Sequence, residues 1–217
     1  AVSFRTNINV NLKIENLKKG ISPIYEPGLQ ELVTKNYKAN RLNFTTDLKD
    51  AIKNSAVIFI CVGTPTKKNS YSADLSQIYK VTREIRKYIN NFKVIVMKST
   101  VPVATGDEVE KIISQKKSKK LFSVVSNPEF LRESKTPNSD FENQHIVVVG
   151  TPKITIFDKV KEMYQRVLIP SAEYHNLSYL EAEMVKYSQN TMLGSRVALA
   201  NMIYDACEEH GVDYNII

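Results

Sequence analysis

The stretch KVIVMKS, Lys93–Ser99, followed by TGDEVEKIISQ, Thr105–Gln115, decides the fold. The first is a largely apolar, β-branched run of the kind found in strands covered on both faces. The second spaces its apolar residues as an amphipathic helix does. Strand then helix is half of a βαβ unit, and the rhythm recurs. VIFICVG (Val57–Gly63) precedes the helical pattern DLSQIYKVTREIRKYI (Asp74–Ile89). LFSVVS (Leu121–Ser126) and HIVVVG (His145–Gly150) complete four apolar runs, and TIFDKVKEMYQRV (Thr155–Val167) is a further helix. The alternation predicts an α/β fold: a doubly wound, mostly parallel, Rossmann-like sheet with helices on both faces. TTDLKDAIKNS (Thr45–Ser55) predicts a short helix capped by Thr46 or Asp47. Residues Ser178 to His210 hold no proline and only Gly194 as an internal breaker. They predict one long helix stopped by Gly211, with an apolar face of Leu180, Met184, Tyr187, Leu193, Val197 and Ile203.

The whole chain of 217 residues is 42% apolar and 24% charged, which suits one large globular domain, alone or with a piece of a second. Its net charge of +7 is carried by scattered lysines, as in QKKSKK (Gln115–Lys120), and predicts no nucleic-acid partner. No signal-peptide pattern opens the sequence, and no apolar run nears the roughly 18 residues of a membrane helix. Cys61 and Cys207 lie far apart without metal-ligand spacing. They read as reduced thiols in a cytoplasmic protein that holds no metal.

In an open parallel sheet, ligands bind beyond the carboxyl ends of the strands. Three of the apolar runs end in polar and turn residues: CVGTPT (Cys61–Thr66), MKSTVP (Met97–Pro102) and SNPEFLRES (Ser126–Ser134). Each has a proline close behind, which fixes a tight loop. Gly63 and Thr64 allow close backbone approach, and Ser99 and Thr100 offer hydroxyls. Glu129 and Glu133 share one face if Glu129 starts a helical turn. Taken singly, Thr64, Ser99 and Asn127 read as helix caps. Taken together at one sheet edge, the three loops read as a site.

These residues resemble the UDP-glucose/GDP-mannose dehydrogenase family. The matching segments are SPIYEPGLQELV (Ser22–Val33), VGTPT (Val62–Thr66), SADLSQI (Ser72–Ile78), KSTVPVATGDEV (Lys98–Val109), SNPEFLRES and AEMVKYSQNTML (Ala182–Leu193), in family order. The resemblance implies an NAD-binding Rossmann-like domain over residues 1–175. It implies that 176–217 begin a middle domain with a long helix that pairs two copies as a homodimer. It also implies the oxidation of a nucleotide sugar, UDP-glucose to UDP-glucuronate, with NAD. That reaction passes through an aldehyde trapped on a cysteine and a thioester cleaved by water, and so needs a base, an oxyanion stabiliser and a positioned water. By resemblance Lys186 and Asn190 line the reacting oxygen. Glu129 serves as base or water activator, and Thr100 holds that water. Val62, Gly63, Thr64, Pro65 and Thr66, with Ser99, Thr100, Val101 and Glu133, face the cofactor. Phe130, Leu131 and Arg132 join Glu129, Glu133, Lys186 and Asn190 at the UDP-sugar.

The sequence also departs from that family. None of its seven glycines stands in the G-x-G-x-x-G spacing of a pyrophosphate turn. Asn7 or Ile8 falls where an acid for the ribose is expected, and Asn143-Gln144-His145 stands where the family has Pro-Asp-Arg. The nucleophilic cysteine is expected downstream of Ile217, and Cys207 is not assigned that role. Two classes therefore compete: part of a nucleotide-sugar dehydrogenase, or a non-catalytic remnant that folds and dimerises. A dehydrogenase for another sugar nucleotide and a simpler hydroxyacid dehydrogenase are further alternatives. The Glu129 segment speaks against the last, because a single oxidation needs no thioester hydrolysis.

Overall fold

The structure, a computed structural model, describes residues 10–131 and 141–217. Among the described residues five strands form one sheet in the order β1 (Val57–Ile60), β2 (Lys93–Met97), β3 (Phe122–Ser126), β4 (Ile146–Gly150) and β5 (Glu173–Leu177). The helices are α1 (Val10–Lys18), α2 (Leu29–Lys38), α3 (Leu48–Asn54), α4 (Ser76–Tyr88), α5 (Thr105–Ser114), α6 (Ile154–Gln165) and α7 (Tyr179–His210). The four apolar runs become β1 to β4, and β2 and β3 are buried along their whole length.

Alternation along the strands divides the core in two. On one face Ile58, Ile60, Ile95, Met97 and Val124 pack under Ile52 of α3, Ile78, Val81 and Ile85 of α4, and Val109 and Ile113 of α5. On the other, Val94, Val96, Val125, Val147 and Val149 pack under Ile156, Phe157, Val160 and Tyr164 of α6. Both faces are helix-covered, which is why the strand sequences run apolar without alternating.

Pairing is parallel between β1 and β2, β2 and β3, and β4 and β5. Between β3 and β4 it is antiparallel, through Ser126 and Gly150. Strand direction at that seam has no local signature in the sequence. β5 was not anticipated either: its residues EYHNL form no apolar run, and they are largely exposed on an edge strand.

Asp47 caps α3 by accepting from the Asp50 N–H (2.9 Å), settling the choice between Thr46 and Asp47. Ser178 and Glu181 form a capping box at the start of α7, and Gly211 ends it at φ 67°. The first turns of α7 dock on the sheet and on α5, and glycines set the approach. A Cβ on Gly150 would lie 2.7 Å from Ala182 Cβ and 2.8 Å from Ser178 O. One on Gly106 would lie 3.0 Å from Tyr179 Cβ. Beyond Lys186 the helix leaves the sheet, and among its described residues only Cys207 is buried again. The predicted apolar face is not covered within the chain: Leu180, Met184, Tyr187, Leu193, Val197 and Ile203 are all exposed. No helix among the described residues is long and apolar enough to cross a membrane.

Candidate active site

The three strand-end loops meet. Lys98 N and Ser99 N donate to Ile60 O (3.0 and 3.2 Å), and Asn127 N donates to Met97 O (2.9 Å), so each loop leaves its strand beside the next. The side chains named as helix caps do other work. Ser99 Oγ donates to Val62 O (2.7 Å), Thr64 Oγ1 to Thr100 O (2.8 Å) and Asn127 Nδ2 to Val148 O (2.8 Å). The cap positions of α4 and α5 belong instead to Leu75 and Ala104. Val62 and Val101 are buried beneath the loops, while Gly63, Pro65 and Thr66 are exposed on them. Asp74 N donates to Pro65 O (2.7 Å) and closes the first loop onto the start of α4.

Glu129 and Lys186 come together across 57 positions of sequence. Lys186 Nζ lies 3.2 Å from Glu129 Oε1, with the lysine side chain 7% exposed and the glutamate 32%. The second carboxylate oxygen of Glu129 accepts from Leu131 N (2.7 Å). The ammonium also stands 5.5 Å from the centre of the Phe130 ring. Glu129, Phe130 and Leu131 are irregular rather than helical, so the helical-turn premise for Glu129 fails. Arg132 and Glu133 lie outside the described residues. Asn190 is one helical turn beyond Lys186 and is exposed.

Four further residues stand near this edge of the sheet: Asn127, read in the sequence as a cap, and Lys98, Tyr164 and Glu183, to which the sequence assigns no role. Lys98 Nζ reaches within 3.4 Å of both Asn127 Oδ1 and Pro128 O, and lies 5.4 Å from the Tyr164 ring centre. Tyr164 donates its hydroxyl to the same Asn127 oxygen, and burial raises that phenol well above its ordinary range. Desolvation lowers Lys98 to about 8, with Glu129 and Cys61 pulling it up and Lys186 pushing it further down. The signal in the sequence was a lysine closing an otherwise apolar strand. Glu183, the fourth, accepts from Ala104 N (2.7 Å) and Gly106 N (2.8 Å) at the first turn of α5. Burial pushes its carboxyl up to about 7 against the pull of those N–H groups. The amino end of α5 is thus filled by the protein's own carboxylate.

Cys207 is buried near the far end of α7, where Val212 N donates to its carbonyl (2.8 Å). It stands twenty-one helical positions beyond Lys186, about 30 Å at 1.5 Å per residue. Neither cysteine is in a disulfide, and among the described residues no cluster of three His, Cys, Asp or Glu side chains is placed to hold a metal.

This sheet, with its carboxyl-edge loops and the helix that closes over them, has the Rossmann-like architecture of dehydrogenases. It superposes on a GDP-mannose dehydrogenase from Pseudomonas aeruginosa with a TM-score of 0.87 at 37% identity, over 94% of this chain and 47% of that one. A UDP-glucose dehydrogenase from Pyrobaculum islandicum superposes at 0.86 with 31% identity, again over 94% of this chain and 47% of that one. The chain belongs to the UDP-glucose/GDP-mannose dehydrogenase family: residues 6–168 match the model of the family's NAD binding domain, and residues 180–217 that of its central domain. A UDP-glucose 6-dehydrogenase from Rhizobium meliloti is 41% identical over 203 residues, spanning 93% of this chain and 46% of that protein. The chain therefore spans about half the length of the curated relatives it matches.

Proposed function

We propose that this chain forms the cofactor-facing part of an NAD-dependent dehydrogenase that oxidises a nucleotide sugar, with UDP-glucose to UDP-glucuronate as the reaction. The observation that carries this reading is the Glu129–Lys186 pair, 3.2 Å apart at the loop-bearing edge of the sheet. An ammonium with a 7% exposed side chain is placed to stabilise oxygen that gains charge as a hydride leaves. The carboxylate beside it can take a proton from the sugar hydroxyl or from a water. Thr100, on the neighbouring loop, offers the hydroxyl to hold that water, and Asn190 extends the site along α7. Phe130 and Leu131 border the sugar nucleotide.

The residues present fit NAD along the ends of β1 and β2. An added Cβ on Gly63 meets nothing within 4 Å, and Pro65 and Thr66 are exposed beside it. NAD, when bound, accepts the hydride. Val62 to Thr66 and Ser99 to Val101 are the residues that would hold it, in a domain over residues 1–175 that passes at 176–217 into a helical middle domain.

A homodimer suits the exposed apolar side chains of α7, and the two free cysteines suit the cytoplasm. A specific observation favours the non-catalytic reading for the chain by itself: its helical cysteine, Cys207, is about 30 Å from Lys186 along α7. The test is calorimetric titration with UDP-glucose, with and without NAD, alongside NADH absorbance. The expected result is weak binding that Lys186→Ala and Glu129→Gln each reduce, with no steady NADH. Binding indifferent to both substitutions removes the site. Steady formation of NADH overturns the non-catalytic reading of the isolated chain.

A further inference from the structure

We propose that Lys98 is a positioning residue for the Glu129–Lys186 pair: its ammonium holds the chain segment from which Glu129 reaches Lys186. This rests on reading that pair as the reacting centre.

The argument begins with Pro128. A proline has no N–H, so the segment leaving β3 cannot be fixed at that position by donating to a neighbouring strand. What remains is its carbonyl, and Lys98 Nζ lies 3.4 Å from it. The same ammonium lies 3.4 Å from Asn127 Oδ1, so one cation meets acceptors on both residues that precede Glu129. Asn127 is itself fixed from three sides, by Met97 O, Val148 O and the Tyr164 hydroxyl. Lys98 thereby links a pinned residue to the arm that carries the carboxylate.

The surrounding charges give the lysine a second effect. Charged and titratable groups face it from four elements: the Cys61 thiol after β1, the Glu129 carboxylate after β3, the Tyr164 phenol on α6 and the Lys186 ammonium on α7. Glu129 is ion-paired with Lys186, and the Lys98 ammonium adds its field to the same carboxylate from the other side of the Asn127–Pro128 segment. The contacts of Lys98 are with the two residues that precede Glu129, so its action passes through that segment.

The test uses the chain without substrate, so it stands or falls apart from the dehydrogenase reading, which ligand titration decides. The reporters are the NMR signals of the Leu131 amide, which donates to Glu129, and of the buried Asn127 Nδ2 group. In the unaltered chain both are expected to move together as pH rises through about 8, where Lys98 loses its proton. Cys61→Ser is expected to keep that step. Lys98→Arg, whose guanidinium stays charged, is expected to keep the low-pH positions and lose the step. Lys98→Met is expected to lose the step and to exchange the Leu131 amide about tenfold faster. If the step survives in Lys98→Arg, another group is titrating and the proposal is overturned. It is equally overturned if Lys98→Met is folded with both signals unmoved. Should Lys98→Met fail to fold, Lys98→Arg and Cys61→Ser decide the matter.

Discussion

The two edges of the sheet use charge in opposite ways. At the amino edge, where α3, α4 and α5 end, cations meet the last carbonyls of those helices. Lys93 Nζ donates to Lys53 O (2.9 Å), Lys117 Nζ to Ile89 O (2.9 Å) and Arg86 to Ile112 O (3.1 Å). Helices that run back against parallel strands gather their negative ends there, and each cation answers a partial charge that the fold itself creates. At the carboxyl edge Lys186 pairs with Glu129, and desolvation first, with the repulsion of Lys186 added, lowers the Lys98 pKa. The first edge neutralises its own dipoles. The second brings charges of both signs together from separate elements, as functional edges do. In the basic surface at the amino edge, Arg86 and Lys117 are accounted for by these carbonyls.

The contrast is exposed to direct measurement. Lys93→Ala is expected to give the largest effect, a loss of about 3 kcal/mol in chemical denaturation. It empties a fully buried site and leaves Lys53 O and Asn91 without their donor. A loss under about 1 kcal/mol would break the claim that this edge is built for stability. Glu183 comes next. Its folded carboxyl is raised to about 7, so between the usual 4.5 and 7 the folded chain binds more protons than the unfolded one. Its contribution is fully present below pH 4.5 and lost as pH rises through 7, by about 2 kcal/mol. Glu183→Gln is expected to flatten that slope in thermal unfolding followed against pH.

Lys98→Met is expected to change stability at neutral pH by no more than about 1 kcal/mol, in either direction, because a desolvated ammonium is replaced by an apolar chain of similar length. The Lys98 pKa is depressed, so the unfolded chain binds the extra proton between about 8 and 10.5. Stability of the unaltered chain should rise with pH across that window, and the variant should lack the rise. A Lys98→Met chain as badly destabilised as Lys93→Ala would erase the distinction between the edges. Lys117→Ala, a half-buried cation at one helix end, is expected to cost about 0.5 kcal/mol, read as a small fall in denaturant midpoint.

What the sequence made legible follows physical lines. β1 to β4 were visible because strands covered on both faces must be apolar throughout. α7 was visible because a long pattern closed by Ser178 and Gly211 carries its own boundaries. β5 was hidden because a half-exposed edge strand has no such requirement. The three loops were visible as turn residues at strand ends, and Glu129 and Lys186 through the family's motifs. Lys98, Asn127, Tyr164 and Glu183 were hidden because their significance is tertiary. Each acts on a group at least 21 positions away, and nothing local distinguishes Asn127 from a capping residue.

The antiparallel joint between β3 and β4 also bears on how this chain folds. It divides the sheet into two parallel units, one carrying β1 to β3 and the other β4, α6 and β5, sewn together by the Ser126–Gly150 bridge and the Asn127–Val148 hydrogen bond. Lys98 and Glu129 belong to the earlier unit, Tyr164 to the later, and Lys186 to the helix that follows both. The constellation is therefore completed last: a chain emerging during synthesis can join Lys98 to the Asn127–Pro128 segment early, but gains Tyr164 and Lys186 only after the second unit has closed on the first and α7 has come down across the seam.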